Sequence, residues 1–222
     1  MNDLSGPSQP PASGGKAKQL VVLLHGYGSN GDDLISLAPF FAHALPEAEF
    51  LSPNAPFPCE IAPMGYQWFG FEDRTPEMLL GAARLAAEIV DRFLDAELAK
   101  RGLKDRDLAL VGFSQGTMMS LHVGPRRPGR IAGILGFSGS LIAPQLLAAE
   151  LKSKPPVFLV HGTADQVVPY PALGAAEKAL RDAGILVETE TRPGLPHSID
   201  QVGAQKGALF LRQCFGAVAA PQ

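Results

Sequence analysis

Short apolar runs recur along the chain and predict buried β-strands. The run from Leu20 to Leu24 is too short for a helix and has no alternating polar positions. This pattern is typical of a strand that is buried on both faces. Similar runs follow at intervals, and a weaker one lies at Phe50 and Leu51. The sequence predicts strands over residues 20–24, 50–51, 108–111, 131–137, 157–160 and 185–191.

Between these runs, hydrophobic residues follow helical spacing. In the clearest segment, 76–101, apolar residues such as Leu79 and Val90 fall on one side of a helix. Pro76 suits the first helical turn and Gly102 suits a stop. Helices are predicted over 32–45, 76–101, 115–123, 144–151, 171–183 and 201–214. The alternation predicts an α/β fold whose mainly parallel sheet is covered by helices on both faces.

The ends of the chain and one long segment depart from this alternation. Residues 1–18 are rich in proline, glycine and serine and lack the apolar stretch of a secretory signal, so they are expected to form a disordered leader. One α/β domain is expected over 19–217, with a tail at 218–222. The segment 52–75 contains several prolines and aromatic residues. It is predicted to be a long loop, and such loops are usually functional.

Composition narrows the classes of function. The 222 residues include 19 Lys and Arg against 22 Asp and Glu, a net charge of −3 that lacks the basic footprint of a nucleic-acid binder. The apolar runs are shorter than a membrane span requires. Cys59 and Cys214 are the only cysteines, which excludes a disulfide framework and a Cys-x-x-Cys metal site. We therefore expect a cytoplasmic protein without cofactor or metal; the sequence leaves monomer and homodimer open.

The segment Gly112-Phe-Ser-Gln-Gly116 has the context of a nucleophile elbow. It follows the apolar run that ends at Val111 and opens a predicted helix. A serine at such a sharp turn needs small neighbours two residues away on each side, because a Cβ there would clash with the reversing backbone. Ser114 is therefore the candidate nucleophile. The alternative is an ordinary glycine-rich turn in which Ser114 caps the helix.

A serine hydroxyl needs a base, and chain order restricts the choice. In this architecture the order is serine, acid, histidine, and only His161 and His197 follow Ser114. His161 closes a predicted strand, where a side chain more often packs than titrates. His197 lies in a Pro/Gly-rich loop just beyond a strand and is the candidate base. The alternative for His197 is simple surface exposure; His25, after the first strand, is interpreted as a scaffold residue.

Asp165 is the best candidate for the acid that orients the base. It lies directly past the carboxyl end of a predicted buried strand. A turn or cap aspartate is the alternative. Five other acids between Ser114 and His197 fit solvated helix faces or an exposed strand face, namely Glu150, Glu177, Asp182, Glu188 and Glu190. The order of Ser114, Asp165 and His197 at the ends of successive strands favours a catalytic triad.

Two backbone amides are candidates for an oxyanion hole. One belongs to Gln115, the residue after the predicted nucleophile, and the other to Tyr27, in the glycine-containing loop after the first strand. Asp32 and Asp33 nearby are interpreted as helix-start residues, because apolar residues follow them at once. They are not expected to hold a metal.

The substrate pocket is predicted from the long segment. The residues assigned to substrate binding are Phe57, Met64, Trp68 and Phe69, with Trp68 as the largest apolar surface. The alternative is a surface loop that its aromatic residues pin to the sheet. Ser138 lies in an echo of the elbow but lacks the second glycine, so it is interpreted as a strand-end residue near the pocket. The short connection between the strands at 131–137 and 157–160 leaves no room for a separate lid domain.

Several motifs together resemble one family. The segments LLHGYGSNGDDL, SPNAP, QWFG, GFSQGTMMSLH, FSGSL, HGTADQVVP and GLPHSI are similar, in order and spacing, to the phospholipase/carboxylesterase family of α/β-hydrolases. That family includes acyl-protein thioesterases and small bacterial carboxylesterases. The resemblance implies an α/β-hydrolase fold, a triad of Ser114, Asp165 and His197, and an oxyanion hole at Tyr27 and Gln115. Two positions depart from the family pattern, Gly70 where an acid is usual and Thr117 where a second glycine is common.

The expected activity is that of a serine carboxylesterase. Short- to medium-chain acyl esters are the expected substrates, with thioesters and lysophospholipids left open. The resemblance does not fix the leaving group, so a serine peptidase or amidase of the same fold is an alternative. A non-catalytic binding module is a further alternative.

Overall fold

The structure is a computed structural model that describes residues 4–71 and 75–219, with side chains described up to residue 216. Seven strands form one sheet in the order β1-β3-β2-β6-β7-β8-β9, and β4 pairs with β5 separately. Within the sheet, β1 is antiparallel to β3 and the other neighbours are parallel. The strands are β1 (Ser8–Gln9), β2 (Gln19–Leu24), β3 (Ala48–Leu51), β4 (Phe57–Cys59), β5 (Ala62–Gln67), β6 (Leu108–Phe113), β7 (Gly133–Phe137), β8 (Val157–Gly162) and β9 (Val187–Arg192).

Most predicted helices are present, and two of them are broken. The helices are α1 (Gly31–Leu34), α2 (Ala38–Ala42), α3 (Pro76–Arg101), α4 (Gln115–Val123), α5 (Leu147–Glu150), α6 (Pro171–Asp182) and α7 (Gln201–Ala219). The single helix predicted over 32–45 is interrupted by a 3₁₀ turn at Ile35–Leu37. Pro39 lies in the first turn of α2, where its missing N–H costs nothing, whereas inside a continuous helix it would break a hydrogen bond. A 3₁₀ turn that begins at Pro144 likewise precedes α5.

The sheet carries a hydrophobic core on each face. Along β2, Leu20, Val22 and Leu24 pack into the core with α3, α4 and α6, whereas Val21 and Leu23 pack into the core with α2 and α7. Successive side chains of a strand point to opposite faces, which explains the continuous apolar runs in the sequence. The prediction of a mainly parallel sheet with helices on both faces is confirmed.

The described part of the leader is ordered, so the expectation of disorder is wrong for residues 4–18. Ser8–Gln9 pairs with Phe50 and Leu51 of β3. The amide of Ser52 donates to the Pro7 carbonyl at 3.0 Å. Without this segment β3 would be an exposed sheet edge, and covering such an edge stabilises it. At the other end, α7 runs to Ala219, past its predicted end and into the predicted tail; residues 220–222 lie outside the described residues.

The long segment 52–75 is not a loop throughout, because β4 and β5 form an antiparallel hairpin. An isolated bridge between Ser29 and Tyr66 fastens this hairpin to the loop after β2. At Gly65 an added Cβ would lie only 2.1 Å from the Gly28 carbonyl oxygen, so this close contact requires glycine. Residues 72–74 lie outside the described residues.

Two buried histidines make stability depend on pH. His25 is fully buried; its Nε2 accepts a hydrogen bond from the Ala55 amide at 3.0 Å, and its Nδ1 lies 2.8 Å from the Gly26 carbonyl oxygen. These partners fix a neutral ring with its proton on Nδ1, the scaffold role expected of it. Burial lowers the pKa of His25, and burial together with the Arg126 charge lowers the pKa of His122 to about 4.

We expect the free energy of unfolding to decrease as the pH falls from about 6.5 towards 4. In this range the unfolded chain binds protons that buried His122 excludes, so acid favours unfolding by about 1 to 3 kcal/mol for this residue. Urea denaturation at several pH values measures the slope. His122→Gln should flatten it, whereas His43→Gln, at an exposed position, serves as the matched control. An unchanged slope in His122→Gln contradicts the prediction.

Candidate active site

Ser114 lies at a sharp turn between β6 and α4. Its backbone has φ 53° and ψ −116°, a conformation that residues other than glycine rarely adopt. An added Cβ on Gly112 would lie 2.4 Å from the Thr117 nitrogen, and one on Gly116 would lie 1.7 Å from the Leu24 carbonyl oxygen. Both glycines are therefore required by close backbone contacts. The turn has the form that the sequence predicts for a nucleophile elbow.

The two predicted oxyanion residues flank this serine. Gln115 is the first residue of α4, whose first-turn amides have no partner within the helix and carry its positive dipole end. Tyr27 follows Gly26, and an added Cβ on Gly26 would lie only 3.4 Å from the Cβ of Ser114. The loop that carries Tyr27 therefore runs directly beside Ser114. Negative charge on a group bound to Ser114 would develop between these two backbone segments.

Asp165 and His197 form a hydrogen-bonded pair. The Nδ1 atom of His197 lies 2.8 Å from Oδ2 of Asp165, whose side chain is fully buried. The other carboxylate oxygen accepts the amides of Val167 and Val168, each at 2.9 Å. Burial alone would raise the pKa of Asp165, but the hydrogen bonds from His197 and from these amides outweigh it, and the net pKa is lowered. The acid is therefore held as a carboxylate.

His161 is buried and packs beneath this pair, as expected for a residue that closes a strand. Its Nε2 lies 2.9 Å from the Val168 carbonyl oxygen, which can only accept, so Nε2 carries a proton. The same nitrogen lies 3.3 Å from Oδ2 of Asp165. His161 thus faces the carboxylate oxygen that also meets His197. The sequence analysis does not predict this contact. Its only local signal is the spacing of four residues between His161 and Asp165.

Ser114 and His197 line one cavity of about 790 Å³. The ring of Phe113 lies 4.8 Å from the ring of His197, centroid to centroid, and supports it from one side. Tyr27, Ser29 and Glu60 add polar groups to the lining. The apolar part of the wall consists of Ile61, Phe71, Leu79, Met118, Val167 and Val168. This arrangement places a hydroxyl and an imidazole at an apolar pocket, which is what the attack on an acyl group needs.

The residues predicted to bind substrate lie elsewhere. Trp68 is fully buried, and its Nε1 donates to the His25 carbonyl at 2.9 Å. The side chain of Gln115 fastens this region, because it accepts the Trp68 amide at 2.9 Å and donates to the Phe69 carbonyl at 2.7 Å. Phe57 and Met64 are 40% and 85% exposed. None of these four is among the described residues of the cavity wall, and Trp68 and Phe69 instead pin the segment to the sheet.

Asp32, Asp33 and Ser138 are not among the described residues of the cavity wall. Asn30 caps α1 by accepting the Asp33 amide at 3.0 Å, and Asp33 accepts the Ser29 hydroxyl at 2.6 Å, which confirms the helix-start interpretation of Asp32 and Asp33. In the described ranges, the structure shows no group of three or more metal-binding side chains. Ser138 directly follows β7 and is buried, and its hydroxyl has no hydrogen-bond partner among the described residues.

Comparison with known proteins identifies the family. A family model described as phospholipase/carboxylesterase matches residues 11–215. The chain belongs to the phospholipase/carboxylesterase family. One similar member is acyl-protein thioesterase 1 of Schizosaccharomyces pombe, 32% identical over 169 residues that cover 72% of this chain and 74% of the relative. Another is the Escherichia coli K12 esterase YpfH, 30% identical over 199 residues that cover 88% of this chain and 83% of the relative.

One solved esterase structure matches the whole fold. The crystal structure of esterase PE8 is 44% identical and superposes with a TM-score of 0.91, covering 96% of this chain and all of the other. The α/β-hydrolase fold and the family resemblance are thereby confirmed, and the chain is a carboxylesterase/thioesterase family hydrolase. Across residues 4–71 and 75–219, no helix combines the length and apolar character needed to cross a membrane.

Proposed function

We propose that this hydrolase is a serine carboxylesterase that cleaves short- to medium-chain acyl esters through an acyl-enzyme. Ser114 is the nucleophile, His197 the general base and Asp165 the acid that orients it. The observation that carries this proposal is the 2.8 Å contact between Asp165 and His197 at the cavity that also contains the strained Ser114. A strained turn at a cavity wall, with a buried acid–imidazole pair at the same cavity, serves nucleophilic catalysis.

The hydrogen bonds of the pair support one set of proton positions for the proposed reaction. The Asp165 carboxylate can only accept, so it holds the proton on Nδ1 of His197 and leaves Nε2 free to take the proton of Ser114. As Ser114 Oγ attacks the acyl carbonyl, the amides of Gln115 and Tyr27 stabilise the oxyanion. His197 then protonates the leaving alcohol or thiol. A water molecule activated by His197 releases the acid and restores Ser114.

The cavity suits an apolar acyl group better than a charged one. Its wall is mostly apolar, and its volume of about 790 Å³ is within the range of small-molecule sites. Thioesters belong to the same proposal, because one similar relative is named an acyl-protein thioesterase. Lysophospholipids are a third ester class for the same chemistry.

The test is a series of p-nitrophenyl esters from acetate to palmitate, run beside an acyl thioester, a lysophospholipid and an acyl anilide. We expect rapid turnover of the shorter esters and slow turnover of the anilide, since amides are poorer acyl donors. Rapid anilide cleavage with little ester turnover would instead support a peptidase or amidase. If none of these substrates is hydrolysed, the result would support a non-catalytic binding module.

Enlarging a side chain in the cavity wall should shorten the preferred acyl chain. Met118 is partly buried and lines the cavity, whereas Met64 lies on the exposed hairpin outside its lining. Met118→Phe should lower kcat/KM for long esters relative to butyrate by roughly tenfold, as expected for about one to two kcal/mol of steric cost. Met64→Phe is the matched control. If the chain-length preference changes in Met64→Phe but not in Met118→Phe, the acyl group binds at the β4–β5 hairpin and the prediction is wrong.

A further inference from the structure

One charged side chain lies in the wall of the cavity. Glu60 is at the turn between β4 and β5, and its neighbour Ile61 lines the same cavity. Among the described lining residues, Glu60 is the only aspartate, glutamate, lysine or arginine. An acyl group that enters this apolar space therefore meets a negative potential from one direction, without a cation in the described wall to offset it.

The Glu60 carboxylate is held in place by Tyr27, the residue whose amide is a candidate for the oxyanion hole. The hydroxyl of Tyr27 donates to its Oε1 atom at 2.8 Å. The Tyr27 ring in turn packs edge to face on Phe71, 5.1 Å away between centroids. An added Cβ on Gly70 would lie 4.0 Å from the same Oε1 atom, so Glu60 brings a carboxylate to the region where the family pattern has an acid at position 70.

Glu60 is ionised in this position. Hydrogen bonds from its own backbone amide and from the Tyr27 hydroxyl lower its pKa. The charge is also close to the chemistry. Gly26 lies beside Ser114, and Tyr27 is the next residue. The side chain of Tyr27 therefore reaches from the loop beside Ser114 to the Glu60 carboxylate.

We propose that Glu60 is a specificity-determining residue that selects neutral or cationic acyl chains and disfavours acyl chains with a terminal negative charge. The inference rests on the proposed function, because it concerns the acyl group that Ser114 would accept. A like charge about 10 Å away, at an effective dielectric constant of about 40, changes relative turnover by roughly fivefold. Because Glu60 is exposed, added salt should reduce this discrimination.

The experiment compares esters whose acyl chains end in a neutral, a negative or a positive group. The probes are p-nitrophenyl hexanoate, the mono-p-nitrophenyl ester of adipic acid, and p-nitrophenyl 6-(trimethylammonio)hexanoate. The measured quantity is kcat/KM for each charged ester divided by kcat/KM for the hexanoate. In Glu60→Gln, which keeps an acceptor for the Tyr27 hydroxyl, the adipate ratio should rise about fivefold and the cationic ratio should fall by a similar factor. Glu88→Gln, an exposed position outside the cavity lining, is the matched control for net charge.

A second measurement needs no variant. In the wild-type protein, raising the salt concentration should increase the adipate ratio and lower the cationic ratio. Ratios that do not respond to salt, or that remain unchanged in Glu60→Gln, overturn the proposal, as does an equal change in Glu88→Gln. Absence of hexanoate turnover in the wild type would overturn the proposed function itself. Normal hexanoate turnover with unchanged ratios overturns only the role of Glu60.

Discussion

Replacing Ser114 with alanine is expected to reduce kcat/KM for acyl esters by roughly 10⁴-fold or more. The variant lacks the oxygen that would form the acyl-enzyme, while the cavity and the Asp165–His197 pair remain. Folding should survive, because the serine side chain makes few contacts that alanine loses. We expect the free energy of unfolding to change by less than about 1 kcal/mol.

Steady-state kinetics with p-nitrophenyl butyrate and urea denaturation measure the two quantities for Ser114→Ala. Ser138→Ala is the matched control, because Ser138 also follows a sheet strand with a positive φ and is buried. It should retain ester turnover within a few-fold of wild type. If Ser138→Ala abolishes turnover and Ser114→Ala retains it, the assignment of the nucleophile is wrong.

Asp165→Asn should reduce kcat by roughly 10³- to 10⁴-fold. The asparagine can present an NH₂ group to Nδ1 of His197, and this favours the ring tautomer whose Nε2 carries the proton. That nitrogen then cannot accept the proton of Ser114. The amides of Val167 and Val168 still have an oxygen to bond, so the turn after β8 should persist.

Kinetics of Asp165→Asn should be compared with those of Asp182→Asn, a change at an exposed acid of α6 that pairs with Lys178. The control should keep kcat within about twofold, as is usual for surface substitutions. Thermal unfolding shows whether Asp165→Asn is folded at the assay temperature. Wild-type turnover in a folded Asp165→Asn would mean that the buried carboxylate does not orient the base.

The catalytic candidates were predictable because their signals are local. Each of Ser114 and Asp165 follows a short apolar run, and parallel strands bring their carboxyl ends to one edge of the sheet. His197 follows β9, the edge strand that is parallel to β8, and so lies at the same edge of the sheet. The chain order of serine, acid and histidine then limits the base to a histidine after Ser114 and the acid to a residue between the two. The 2.8 Å contact between Asp165 and His197 joins the two residues that the sequence analysis names as acid and base.

The cavity wall was not predictable, because it depends on contacts between distant segments. The aromatic residues of 52–75 suit a pocket wall and a hydrophobic core equally well. In the structure, the side chain of Gln115 forms hydrogen bonds with the backbone of Trp68 and Phe69 and holds both residues against the turn at Ser114. The ordered leader was missed for a similar reason. Its pairing with β3 uses backbone hydrogen bonds, which composition does not reveal.

The contacts that Glu60 and His161 make with Tyr27 and Asp165 were not predictable either. Glu60 reaches Tyr27 only because the hairpin folds over the loop after β2, a pairing between positions 33 residues apart. His161 was correctly assigned to packing, but its approach to Asp165 depends on the turn between them. Both contacts arise from tertiary structure rather than from a motif.

The central claim is that Ser114 forms a covalent acyl intermediate, and active-site labelling tests it most directly. The folded protein is incubated with a fluorophosphonate, followed by intact mass measurement and peptide mapping. The account predicts one adduct per chain, located on Ser114 and strongly reduced in His197→Ala. A catalytically active protein that carries no adduct, or carries it at another residue such as Ser138, would contradict the account.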